Sequence, residues 1–215
     1  HPDITLSTDY EGGGYFTALS IESSNNLIRG LVIGGFGDYY SGGGAMYING
    51  DNNRILGNYI GVSADGMSGN GNAYGIRIDG GSNGNQIGDA TGTGRNIIGN
   101  NQQYGIYLDG GSITVDNTKI LGNYIGIAAD GLTPMSNNGP GISIYYKAKN
   151  TMIGDATAEG RNIISGNSSD GILITDDGGH ISGTQILGNY IGTDVTGLVA
   201  VGNSNNGIYF NGYSG

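Results

Sequence analysis

The chain has 215 residues, 46 of them Gly, with no Cys, no Trp, 3 Pro and a formal charge of −10 at pH 7. Such an acidic chain repels phosphate backbones, which sets nucleic acid aside as a partner, and the lack of Cys removes disulfide and thiol chemistry. Collagen is excluded because no strict every-third-residue Gly runs through the sequence, and no run of 18 apolar residues predicts a membrane span.

In chain order, Ile4–Ser7 reads as a partial first strand. Two loose words follow, Ala18–Ile21 and Ala45–Ile48, separated by an irregular loop at Gly35–Gly44 that carries Phe36, Tyr39 and Tyr40. The word then sharpens to Gly-Ile-x-Ile at Gly75–Ile78, Gly141–Ile144 and Gly171–Ile174, with variants at Gly105–Leu108 and Gly207–Phe210. A longer word, Ile-Leu-Gly-Asn-Tyr-Ile-Gly, stands at Ile55–Gly61, Ile120–Gly126 and Ile186–Gly192, in steps of 65 and 66 residues. Such internal repetition is read before any other signal. The shorter word recurs in steps of 30 and 36 over the later part of the chain, so one long repeat holds two coils.

Each coil carries three short strands. The first is Gly-Ile-x-Ile; the second ends on Ile28, Ile55, Ile87, Ile120, Ile153 or Ile186; the third reads Asn-x-Ile from Asn58, Asn96, Asn123, Asn162 and Asn189. Alternation of inward and outward positions along three strands per turn predicts a triangular coil. Helix is disfavoured, because Gly and Asn interrupt every window that could carry apolar residues at i, i+3, i+4 and i+7. Loops leave after the third strand at Val62–Tyr74, Ile127–Pro140 and Thr193–Asn206, and after the second at Asp89–Arg95 and Asp155–Arg161. The expected architecture is all-β, a right-handed parallel β-helix of about seven three-stranded coils. It forms one domain over residues 1–215, less regular in 1–44 and built from two-coil repeats of about 66 residues in 45–215.

These words resemble the right-handed parallel β-helix repeats of the pectate-lyase-like superfamily, above all bacterial surface proteins with repeats of the form N-x-I-x-G-N-x-I-G-T-D-x-x-G. The resemblance covers about residues 16–210. It implies a solenoid fold, on which lyases, hydrolases, epimerases and inert stalks are all built.

Stacked Ile side chains are expected inside the coil, and the Asn column is expected to bond along the stack as scaffold. Outside, Val32, Tyr59, Ile97, Tyr124, Ile163 and Tyr190 form a charge-free stripe. An apolar column needs a cover, supplied either by the protein's own loops or by another molecule at a lateral binding stripe. A second outer column, Tyr47, Arg77, Tyr107, Ser143, Leu173 and Tyr209, has Asp79 and Asp109 two residues behind Arg77 and Tyr107. Aromatic rings beside carboxylates and an Arg suit sugars, so Tyr47, Arg77, Asp79, Tyr107 and Asp109 are the candidate glycan face.

Asp176-Asp177-Gly178-Gly179-His180 is the most enzyme-like string, but all its residues fall in one turn, where hydrolysis needs carboxyls roughly 5–10 Å apart across a bond. A solvated turn is the preferred reading. The repeat's I-G-T-D-x-x-G is intact only at Ile191–Gly197, which offers Asp194 as a weak calcium ligand, with Asp65 and Asp130 at displaced positions in the sister loops. No other cofactor is expected, and the chain leans away from enzymes. The reading is an extracellular or cell-surface structural or adhesive solenoid, a filament subunit or a segment of a larger surface protein. Its partners are further copies of itself, end to end or side by side, or a surface glycan. The alternative is a polysaccharide-binding or polysaccharide-degrading β-helix.

Overall fold

The computed structural model describes residues 4–7, 16–37, 43–178 and 180–212; Tyr39 and Tyr40 of the irregular loop lie outside the described residues. Among the described residues there are strands and turns but no helix, and so no helix long and apolar enough to cross a membrane. The strands form a right-handed parallel β-solenoid of about six turns with three walls. The Gly-Ile-x-Ile wall has seven strands, from Thr17–Ile21 to Ile208–Gly212; the Asn-x-Ile wall has seven, from Ile4–Ser7 to Tyr190–Ile191; the remaining wall has six, from Leu27–Arg29 to Gln185–Ile186. The expected seven rungs are thus present on two walls, and the coil closes about six times.

Every pairing within the walls is parallel and in the register the words imply. Ile76, Ile106, Ile142, Ile172 and Ile208 fall on one column, and Ile78, Leu108, Ile144, Ile174 and Phe210 on the next. With Ile60, Ile98, Ile125 and Ile164 of the second wall and Ile55, Ile87, Ile120 and Ile153 of the third, these columns make one continuous lumen core. Each buried aliphatic contributes about 1.5–3 kcal/mol relative to exposure. Ile208 and Phe210, at the end of these columns, are 40% and 63% exposed.

At the corners the chain must turn sharply while its buried amides still find partners. Asn solves this. Asn58, Asn96, Asn123 and Asn162 each donate both a backbone N–H and the side-chain Nδ2 to the Oδ1 of the Asn one rung on, ending at Asn189, over 2.8–3.2 Å. Each such Nδ2 also reaches a carbonyl one rung back, as Asn96 does to Ile55 at 2.8 Å. A second ladder, which the sequence reading did not isolate, runs through Asn72, Asn101, Asn137, Asn167 and Asn203.

The third corner begins in the same way with Asn26, Asn53 and Asn85. It then changes chemistry to Thr118, Thr151 and Thr184, whose hydroxyls are buried without a hydrogen-bond partner. A hydroxyl is too short to bridge rungs, so this corner keeps its shape without the side-chain ladder.

The two kinds of corner should therefore respond oppositely to substitution. Asn123→Ala leaves the buried amides of Asn96 unsatisfied and is expected to cost about 3 kcal/mol. Thr151→Val removes an unpartnered hydroxyl and is expected to be neutral or stabilising by up to about 1 kcal/mol. Urea unfolding of the two variants beside the parent checks both.

Candidate functional site

The apolar stripe is not a free surface. Val32 is 2%, Ile97 3%, Tyr124 6% and Ile163 3% exposed, with Tyr59 and Tyr190 half-buried beside them. Ile97 and Ile98 are neighbours in one strand but belong to different cores. Ile98 enters the lumen, whereas Ile97 joins a second cluster with Val62, Tyr124, Ile127, Ala128, Met135 and Ile163. That cluster lies outside the wall and under the loops that follow the third strand. The expected lateral binding stripe of Val32, Tyr59, Ile97, Tyr124, Ile163 and Tyr190 is corrected accordingly: the chain covers it itself.

The cover is built by repetition. Gly66, Gly131 and Gly197 each stand seven residues after a stripe Tyr and pack against its ring, and all three adopt positive φ. The loops also bond to one another, Ala129 N–H to the Gly66 carbonyl at 3.1 Å and Val195 N–H to the Gly131 carbonyl at 2.9 Å. From the other side, the Arg95 guanidinium lies 4.2 Å from the centre of the Tyr124 ring, and that of Arg161 lies 4.0 Å from that of Tyr190. Each Arg is fixed by a backbone carbonyl, Gly122 at 3.1 Å or Gly188 at 2.8 Å. These cation–π contacts explain why Arg closes the shorter loop in both copies.

The loop carboxylates serve the same cover. Asp130 accepts from the amides of Leu132 and Thr133 and from the Thr133 hydroxyl, at 2.7–2.9 Å. Asp194 accepts from the Thr196 hydroxyl and from the amides of Thr196, Leu198 and Val199, and Asp65 from the Ser63 hydroxyl and the Met67 amide. In the shorter loops Asp89 and Asp155 do likewise with Thr91 and Thr157. Asp65, Asp130 and Asp194 therefore sit in three separate turns, each carboxylate facing N–H or O–H donors. Among the described residues no three of His, Asp and Glu gather as metal ligands would.

These donors lower the pKa values of Asp65, Asp89, Asp130 and Asp194. The Ser63 hydroxyl does so at Asp65 and the Thr196 hydroxyl at Asp194; at Asp89 and Asp130 burial pushes upward, but the surrounding hydroxyl and amide bonds outweigh it.

The second outer column is where the sequence placed it. Tyr47, Arg77, Tyr107, Ser143, Leu173 and Tyr209 occupy one register line along the first wall. Arg77 donates its Nε to Asp79 at 2.6 Å and an Nη to Asp109 at 3.4 Å, bridging two rungs. Tyr47 lies near the same Asp79, and burial followed by that carboxylate raises its pKa; burial and then Asp109 push Tyr107 well up.

Two residues missed from the sequence, Tyr74 and Tyr104, stack on each other at 5.7 Å between ring centres, and Tyr104 stacks on Tyr107 at 4.8 Å. Both immediately precede a Gly-Ile word, which is the signal that could have found them. Arg77, Asp79 and Asp109 line a trough of ≈ 330 Å³ with Tyr47, Gly80, Gly111, Ser112 and Ile113. At the other string, Asp176 accepts from the amides of His180 and Ile181, a turn-forming role; Gly179 lies outside the described residues.

Two outcomes test the cover. Because lowered carboxylate pKa values contribute stability above the unfolded value of about 3.9 and lose it as pH falls through the folded values, stability should stay flat down to about pH 4 and fall only below it. Gly131→Ala places a Cβ 2.7 Å from that of Val195 at a φ of +69°, and should cost about 2 kcal/mol or more; thermal melts across pH read both effects. A scan against protein-family models gave no match, and searches of the curated proteins and of the solved structures gave none either.

Proposed function

We propose that this chain serves as a non-enzymatic structural and adhesive solenoid outside the cell, of the kind that the pectate-lyase-like repeats of bacterial surface proteins suggest. The observation that carries this reading is where the polar chemistry goes. Two of the corners bond rung to rung through Asn along most of the chain, and the loop carboxylates bracket the cover. Groups that an enzyme would aim at a substrate are here committed along the axis, which suits a rod that resists unravelling and displays its walls. Partners in this reading are further copies of the chain, end to end or side by side, or a surface glycan.

The bridged Arg77–Asp79–Asp109 cluster favours one second reading, a polysaccharide-binding or polysaccharide-degrading β-helix. One experiment separates the two. Beads coated with the chain are tested for adhesion to cell surfaces, and the soluble chain is incubated with pectin and alginate. Adhesion without new reducing or unsaturated ends is expected. Product formation would replace the structural reading with the degrading one.

A further inference from the structure

The trough on the first wall has three features that belong together. Its floor is charged: Arg77 is held between Asp79 and Asp109, with Tyr47 lining the hollow beside them. Its rim is apolar, because Ile113 stands 64% exposed at a turn tip and still lines the hollow. Its side at Gly111 carries no side chain and has open space beside it, so a ligand can reach the backbone there, whereas Gly80 packs on the Ile113 carbonyl. A smaller hollow of ≈ 180 Å³ shares Tyr47, Arg77 and Asp79 and extends toward Tyr74 and Thr17. The two hollows together run across several rungs.

The charge balance selects the ligand. Arg77 spends Nε and one Nη on two carboxylates, whose two negative charges outweigh its single positive one, so a carboxylate arriving on a ligand meets net repulsion. Glu22 acts on Tyr47 from beside the trough, and Lys147 reaches only the Ser112 carbonyl, at 3.3 Å. Three acids against two bases leave the surroundings negative, which disfavours polyuronates, sulfated glycans and phosphate. Fixed carboxylate oxygens are instead strong acceptors for pairs of hydroxyls, and an exposed aliphatic side chain opposite them matches a C–H face. The larger hollow is at the small end of ligand pockets, about 300–1,000 Å³.

The Tyr rings do not supply the stacking surface. Tyr74, Tyr104 and Tyr107 cluster with nearly parallel rings, and none of the three lines the larger hollow. The apolar contact falls to Ile113.

We propose that this trough is a subsite for an uncharged glycan, with the hydroxyls of a pyranose ring on Asp79 and Asp109 and its C–H face under Ile113. The proposal rests on the adhesive reading above and gives that reading its ligand class. Binding is non-covalent, and successive sugar units follow the axis toward Tyr74.

The test titrates the full chain with cellohexaose, mannohexaose, maltohexaose and hexagalacturonate by calorimetry. At least one neutral hexasaccharide should bind at least tenfold more tightly than hexagalacturonate. Ile113→Ser, which alters an exposed tip, should weaken that binding about tenfold with an unchanged melting temperature, and the double variant Asp79→Asn, Asp109→Asn should weaken it further. Equal or tighter binding of hexagalacturonate, no binding of any neutral hexasaccharide, or an Ile113→Ser variant that binds as the parent does would overturn the proposal. Bead adhesion of the same proteins keeps the two readings apart. Adhesion that survives Ile113→Ser undiminished sinks the trough and leaves the adhesive reading standing; hexasaccharide binding by a parent chain that does not adhere does the reverse.

Discussion

Two of this solenoid's three corners, and with them the stacking of its rungs, depend on a side-chain amide that can donate and accept in the same direction as the backbone. At each bend the strand hydrogen bonds are interrupted, and a buried N–H without a partner costs about as much as several good contacts return. Asn places its Oδ1 where the preceding rung offers two N–H groups, and its Nδ2 where the following rung offers an acceptor. The corner is thereby continued as a ladder. Asn123, for example, accepts from Asn96 on one side and donates to Asn162 on the other. Fixing the corners fixes the rung, and fixing the rung stacks the Ile columns.

With the walls held flat, alternation along a strand creates two apolar compartments. Ile164 goes to the lumen and Ile163 to the outside. The outer compartment explains the 66-residue period, since one long loop spans two rungs. Gly131 packs on Tyr124 and accepts from the loop of the next repeat, while Arg95, from the intervening coil, covers the ring of the same Tyr. A repeat of a single coil would have no room for both the loop and the Arg. Five of the 18 acidic residues, Asp65, Asp89, Asp130, Asp155 and Asp194, bracket these loops, so part of the chain's acidity serves folding.

The fold was legible because its determinants are local and repeated. Gly-Ile-x-Ile and Asn-x-Ile each state their own in-and-out order, and the register follows from counting. The Asn58-to-Asn189 ladder was legible for the same reason. The Asn72-to-Asn203 ladder had a weaker signal: Asn101, Asn137, Asn167 and Asn203 each stand four residues before a Gly-Ile word and Asn72 three, but the loops before them differ in length. The stripe was found, but its cover could not be read from the strand alone. Burial of Tyr124 depends on Gly131 and Arg95, one in a loop and one a full turn earlier in the chain. On the first wall, the column through Tyr47, Arg77 and Tyr107 was legible by register, whereas the trough was not, since Ile113 comes from an irregular turn with no repeat partner.

A rod whose amides are committed along its axis should also reveal them by their exchange. Side-chain Nδ2 protons of Asn96, Asn101, Asn123 and Asn137, all buried and bonded on two rungs, can be compared by nuclear magnetic resonance in deuterated buffer with those of the exposed Asn100 and Asn138. The ladder account predicts that the four buried amides exchange orders of magnitude more slowly and lose protection together on unfolding. Exchange of the buried four at the rate of the exposed pair would contradict it.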